Sequence, residues 1–381
     1  MLRWLLTGLL LLVLAASAAG GESAHHPANV TLFYPAGTNQ DPDISTNFRL
    51  SLIYGRVGEI RGVDLNAGVS IIQRDLRGLQ ATLLYSQVGG YFGGVALTGL
   101  VNYFQGENRG LQVSGLTNFD RRHFRGVQYA GLFNFTGDAF HGAQISNVFN
   151  ANHGDGGFLQ LAGVANMNDG DFRGVQLASI NFTGGKFTGV QLAAVNMAVE
   201  AKGVQGGLIN LGGRVEGLQI AALNIHRQND GIPVGFINIA EDNGGEDWIT
   251  FGSTHAAINT GLRTTVNRFY SMVTAGYGDL QGDIEETGFL TWNFGYAAPL
   301  SRQWTLNFDL GYVHIMPEKS DDPTQNDRNH WALQGRVLAE VRLSSRFAVF
   351  GGGGIGSIWS EYASDAEQKT EPLGVLGISA F

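Results

Sequence analysis

Hydrophobic and polar positions in the middle of the chain recur in blocks. In "FRGVQYAGLFNFTGDAFHGAQISNVFNANHGD" (124–155) a G-x-Q triplet, two small residues, an apolar residue and an asparagine occur twice. Aligning the glycines gives Gly62, Gly78, Gly94, Gly110, Gly126 and Gly142, then Phe158 in the same slot, then Gly174, a constant step of 16. After Gly174 come Gly189, Gly203, Gly217 and Gly231, at steps of 15, 14, 14 and 14. Spacing this strict is the signature of a repeat architecture whose unit tolerates trimming. Two residues after the glycine stand Gln80, Gln112, Gln128, Gln144, Gln160, Gln176, Gln191, Gln205 and Gln219, with Asp64, Ala96 and Pro233 as the exceptions. Asparagine follows the slot by eight residues in the longer units (Asn134) and by seven in the shorter ones (Asn196). Two residues before the glycine lies an apolar register that includes Phe92, Phe124, Phe140, Phe172 and Phe187, interrupted at Asn108 and Gly156.

Within "GVQLAAVNMAVEAK", Val190, Leu192, Val195 and Met197 alternate with polar or small residues, and the alternation slips once at Ala193-Ala194. A parity slip at two small residues suits a chain turning a corner between two short strands. One repeat is therefore one coil of a parallel β-solenoid, about twelve coils stacked about 4.8 Å apart. On this reading Val, Leu and Phe point inward, Gln faces out in a ladder, and Asn bonds backbone groups at a bend. The competing reading makes each unit one membrane-spanning strand, but a shift of Asn from offset 8 to offset 7 would then swap its face.

From about residue 247 the rhythm changes to longer alternating stretches. "WTLNFDLGYVHIM" sets Trp304, Leu306, Phe308, Leu310 and Tyr312 against Thr305, Asn307, Asp309 and Gly311; "WALQGRVLAEVRL" and "GFLTWNFGYAAPL" alternate likewise. One face suits lipid and the other a polar interior. The connections "VNRF", "PLSRQ" and "LSSRF" are tight, whereas "GYGDLQGDIEETG", "PEKSDDPTQNDRNH" and "SEYASDAEQKTEP" are long and acidic, the loop asymmetry of an outer-membrane barrel. Strands near 247–254, 257–267, 269–278, 288–300, 304–316, 330–343, 347–359 and 372–381 make a small antiparallel transmembrane barrel of about eight strands. Side chains fill a barrel of that size. Arg263, Asp309, Arg336, Glu340 and Arg342 are expected to meet inside it as a charge network.

The fold class is thus all-β, divided as signal peptide (1–19), N-terminal cap strands (28–61), repeat solenoid (62–245) and barrel (246–381). The leader reading rests on "MLRWLLTGLLLLVLAASAAGGES", with a basic Arg3, a short apolar run and small residues where cleavage would fall. Glycine at 56 against proline at 8, with 44% hydrophobic residues, favours glycine-rich β-structure over disorder. Cys 0 removes disulfides, thiolate metal sites and lipidation at cysteine. A net charge of -9 sets nucleic acid aside as a partner.

The segments "LFYPAGTN" and "LSLIYG", followed by the G-x-Q…N units, resemble a bacterial surface-repeat family first noted in spirochaetes, over roughly residues 31 to 240. The resemblance implies a place at the cell envelope and assigns no chemistry. The terminal "GVLGISAF", ending on Phe381, resembles the assembly signal of bacterial outer-membrane proteins. It implies outer-membrane lipid and the barrel-assembly machinery as partners.

Candidate chemistry is sparse. A Gln ladder (Gln112, Gln128, Gln144, Gln160, Gln176, Gln191) offers repeated donors and acceptors for a glycan or peptide, or serves as a structural amide ladder. Peptidoglycan or a host surface is the corresponding larger partner. His25-His26 sits where a flexible terminus is expected, and "GGGGIG" (351–356) lacks the Lys-Ser/Thr of a phosphate loop. No nucleophile, paired acid or ligand cluster has catalytic spacing, so no enzyme activity, cofactor or metal is expected. Two functions stay open: a structural or adhesive envelope protein anchored by the barrel, or a transport protein in which repeats contribute to a larger barrel. An even strand count leaves both barrel ends on the short-turn side, which favours periplasmic repeats.

Overall fold

The computed structural model describes residues 25–254, 256–280, 284–317, 330–361 and 366–381. The leader and the centres of the three long acidic connections (281–283, 318–329 and 362–365) lie outside the described residues; the flanks of the first and third, expected as loop, instead extend the barrel strands, with Leu280 opposite Ile284 and Glu361 opposite Ala366. The chain forms two compact units, Met1–Val199 and Glu200–Phe381. The division falls inside the repeat array, so the second unit holds the last coils together with the barrel.

The repeats wind as a parallel solenoid of about 14 turns. Each full coil has a longer and a shorter strand, as in Phe124–Ala130 and Phe133–Thr136, joined by a corner at Gly131-Leu132. Successive coils pair in parallel and in register, Gly126 on Gly142 and Gln128 on Gln144. The expected cap strands are themselves coils: His25–Phe33 pairs in parallel with Ser45–Val57, which raises the count above twelve.

The expected facing of the coil is overturned. Gln128, Gln144, Gln160, Gln176 and Gln191 are buried, whereas Val127, Tyr129, Leu132 and Phe133 are exposed. Phe124 and Gln128 are four residues apart in one strand, so they share a face, and burying the phenylalanine commits the glutamine inward as well. Val127 and Tyr129, of the opposite parity, are then forced outside. Asparagine stays buried in both unit lengths (Asn134, Asn196), because the corner absorbs the missing residue before a strand's parity can change.

Glycine recurs at the slot for a steric reason. Gly126 has φ 140°, and a Cβ there would meet the carbonyl oxygen of Gly110 in the preceding coil at 2.0 Å. Phe158 occupies the same slot at φ 91°, outside the range a side chain favours.

The barrel closes on its own eight antiparallel strands: Gly244–Ser253, Ile258–Val266, Phe269–Leu280, Ile284–Pro299, Trp304–Pro317, His330–Arg342, Phe347–Glu361 and Ala366–Ala380. The first strand pairs with the last, Trp248 opposite Ala380. No repeat strand joins this closed wall, so the larger barrel built partly from repeats is overturned. The "GGGGIG" run lies within the Phe347–Glu361 strand. There a Cβ on Gly354 would meet the Gly335 carbonyl oxygen at 2.0 Å, so close strand packing explains the run.

Phe158→Gly should stabilise the protein by about 1 kcal/mol, since it relieves a positive φ and removes a side chain that is 70% exposed. Gly126→Ala should destabilise it. Paired denaturant titrations in one lipid or detergent system check both signs.

Candidate functional site

Three surfaces carry the distinctive chemistry: the solenoid interior, the barrel lumen and the barrel's outer wall. In the first unit, side-chain amides form two ladders that run in opposite directions. Gln128 Nε2 donates to Gln112 Oε1 at 3.0 Å, and Gln144, Gln160, Gln176 and Gln191 each donate to the glutamine one coil earlier at 2.7–2.8 Å. Asparagines donate the other way, Asn118 to Asn134 at 2.9 Å and Asn134 to Asn150 at 2.9 Å. The same asparagines donate to carbonyls beside the corner, Asn118 Nδ2 to Tyr129 O at 2.8 Å, where the turning chain cannot use the sheet ladder. Asparagine thus bonds backbone at a bend, and the glutamines offer nothing to an external ligand.

A ladder of donors running in one direction has to end on an acceptor, and each run of glutamines ends on a buried aspartate. Gln80 donates to Asp64 at 2.9 Å, and Asp64 is also held by Arg49 at 2.6 and 2.8 Å, with both ions fully buried. Ala96 interrupts the ladder, and the next run ends on Asp120, which accepts from Gln112 at 3.0 Å and from Gln128 and Asn108. The sequence exceptions Asp64, Ala96 and Asn108 therefore belong to ladder ends. Burial pushes the Asp120 carboxyl up to about 8 against the opposing pull of Gln112, Asn108 and Gln128. His226, inside a later coil, is pushed down to about 4 by burial and stays neutral.

The lumen brings together four of the five expected charges. Arg263 donates to Asp247 at 2.8 Å and to Glu340 at 2.6 and 3.2 Å. Arg336 donates to Asp309 at 2.8 and 3.1 Å, and Tyr270 and Asn293 complete the carboxylate's shell. Arg342 does not join them: it is exposed at the end of its strand, with its guanidinium 4.5 Å from the Phe381 ring. Positions 330, 332, 336, 338 and 340 of His330–Arg342 are buried, and the pattern breaks at 342 as the strand leaves the barrel. Asp247 and Tyr270 are not signalled in the sequence because each is tied to a partner on another strand, Arg263 and Asp309. A cavity of about 40 Å³, lined by residues including Phe289, Ile315 and Arg336, is room for little more than a water or two.

The outer wall is apolar. Leu310 is 75% and Leu376 70% exposed, and Trp248, Leu333, Val337, Ile355 and Ile378 lie open around the barrel. Two polar outward positions, Thr264 and Ser271, are instead covered by the last coil of the solenoid. The Asn238 backbone N–H donates to Thr264 Oγ1 at 3.1 Å. The Gly235 carbonyl accepts from Ser271 Oγ and, at 3.0 Å, from Trp292 Nε1. That carbonyl lies at the end of the stack, so the barrel wall supplies the donors that a further coil would have given.

His25 and His26 lie in the first strand rather than on a free terminus, opposite Ser45 and Thr46, with His25 Nδ1 3.1 Å from Ser45 Oγ. Among the described residues no group of three or more His, Cys, Asp or Glu is placed to hold a metal ion. Phe381 follows the last barrel strand, and its N–H donates to Arg346 O at 3.0 Å. Comparison with known proteins finds no matching family model, curated protein or solved structure.

The Asp120 carboxyl makes stability depend on pH. Between the ordinary value of 3.8 and about 8 the folded chain holds a proton that the unfolded chain releases, so stability falls as pH rises across that window. Asp120→Asn should flatten the slope and be more stable than the parent at about pH 9, with little difference near pH 4. Denaturant midpoints measured across the window check the sign. In the lumen, Asp309→Ala leaves Arg336 buried without a counter-ion and should cost about 3–5 kcal/mol, read from urea unfolding.

Proposed function

We propose that this chain is a non-enzymatic outer-membrane protein of a bacterial envelope, anchored by the barrel and using the repeat array in a structural or adhesive role. The observation that carries this reading is the barrel's apolar outer wall around a lumen that buries ion pairs beside an apolar cluster (Phe251, Leu338, Phe350). Its outer wall presents Leu310, Leu333, Ile355 and Leu376, while its interior holds the ion pairs of Arg263 and Arg336. Lipid is the solvent that rewards that arrangement. The resemblance of the repeat block to envelope repeat proteins supports the same location. Outer-membrane lipid and the barrel-assembly machinery are the partners this implies. A glycan or peptidoglycan would meet the array on its charged edge rather than on its glutamines, and a host surface would do so only if the array lay outside the cell.

Both barrel ends, Gly244 and Ala380, lie with the short turns after Val266, Pro299 and Arg342. Short turns face the periplasm in outer-membrane barrels, so the repeats belong on the periplasmic side. Transport is the weaker reading, because a lumen filled by side chains leaves no aqueous path through the described residues.

The absence of native cysteine allows a direct test. In intact cells an impermeant maleimide should leave Asp138→Cys unlabelled and should label it once the outer membrane is permeabilised. Labelling in intact cells would place the array outside. Purified protein in a planar bilayer should give no conductance steps, and reproducible steps would favour transport.

A further inference from the structure

The solenoid is amphipathic around its circumference, and the two sides differ completely. In the seven coils from Gly62 to Asn168, the segment running from each glycine slot through the shorter strand contains only two Asp, Glu, Lys or Arg residues, Asp64 and Asp120. Both point inward and are fully buried. Everything outward on that side is apolar, small or neutral: Val127, Tyr129, Leu132 and Phe133 in one coil stand for the rest. Aromatic rings stack along it from coil to coil, Tyr103 on Phe119 at 5.3 Å and Phe119 on Phe135 at 4.6 Å. The opposite edge of the same coil carries Arg125 and Asp138, both exposed, and the other coils place their surface charges there too. An apolar face this continuous is far larger than water-exposed proteins normally leave open.

The corner at the centre of the apolar side also satisfies its backbone N–H groups within the stack. Gly131 N–H donates to Ser114 O at 3.1 Å, Leu132 N–H to Leu116 O at 2.9 Å and Phe133 N–H to the same carbonyl at 3.0 Å. The Tyr129 carbonyl accepts from Asn118 inside the coil. Water would satisfy a corner without such provision, whereas hydrocarbon would not. In the second unit, the corner of the last coil touches the barrel's outer wall itself, with the Phe236 ring 5.3 Å from Trp292. There the apolar side of a coil and the apolar wall of the barrel are one continuous surface.

We propose that the apolar side of the solenoid is embedded in a lipid leaflet, with the charged edge in water, so that the repeats form a membrane-lying β-solenoid. The proposal rests on the outer-membrane reading of the barrel and names the lipid monolayer as the array's partner. It behaves as an interfacial amphipathic element built from strands: apolar face in the acyl region, charges at the aqueous boundary. Its amide interior never meets the lipid, because every ladder is closed within the coils.

Single cysteines introduced into the full chain test this by spin labelling in nanodiscs of phosphatidylethanolamine and phosphatidylglycerol. Labels at Leu132→Cys and, independently, Tyr129→Cys should collide with oxygen in preference to a water-soluble nickel chelate. The Asp138→Cys label should show the reverse preference. The barrel site Leu376→Cys reports the anchor separately and should also prefer oxygen. Nickel access at Leu132 and Tyr129, with oxygen preference kept at Leu376, overturns the proposal while leaving the anchor intact. Shielding of both corner labels from both reagents overturns it as well, in favour of a protein partner or a second copy. Nickel access at Leu376 removes the anchored-barrel reading and this proposal with it.

Discussion

The arrangement depends on a parity constraint. In each coil the residue two before the glycine, the residue two after it and the asparagine beyond the corner point the same way. Stacking Phe124 on Phe140, 6.2 Å apart and nearly parallel, fixes that direction as inward. The glutamines and asparagines must follow. A buried amide left unpaired would cost about 1–3 kcal/mol, so each one has to find a partner in the next coil. The repeat supplies it by placing an identical amide one coil away. Periodicity thus makes a polar core tolerable.

The same constraint explains the ladder ends. Identical amides satisfy one another indefinitely along a stack, but a run must finish somewhere, and a glutamine cannot accept for itself and its neighbour at the start. Asp64 and Asp120 finish the two runs as acceptors, Asp64 with a buried arginine as counter-ion and Asp120 without one. The far end of the stack meets a different device, since the barrel wall offers Ser271 and Trp292 to the last corner carbonyl. Solenoid and barrel also share one logic: polar groups close on one another inside, beside part of the apolar side chains, and the outward apolar side chains are left uncovered.

Much of the architecture was legible in the sequence. The step of 16, the slip at the small pair and the constant asparagine identified a solenoid coil, because strand period and corner geometry leave few other ways to place them. The barrel strands were legible from alternation, and four lumen charges from their parity. Facing was misjudged for the glutamines, because hydrophobicity was allowed to decide what parity already had. Phe124 and Gln128 could not lie on opposite faces. Asp247, Tyr270 and the role of Asp120 were hidden for another reason: each depends on a partner distant in sequence or one coil away, which a local pattern does not display. Arg342 matches the parity of its strand's inward set, but it is the strand's last residue and lies too far along to be carried inside.

The central claim is that the amides lie inside the coil beside the phenylalanine ladder, and that the aliphatic and aromatic side chains of opposite parity lie outside. A cysteine scan through Val127, Gln128, Tyr129 and Ala130 in mild detergent, probed with a small neutral thiol reagent, reads that claim one residue at a time. Fast reaction at 127 and 129 with protection at 128 and 130 is the expected alternation. Fast reaction at 128 and 130 with protection at 127 and 129 would contradict the inverted coil and everything argued from it.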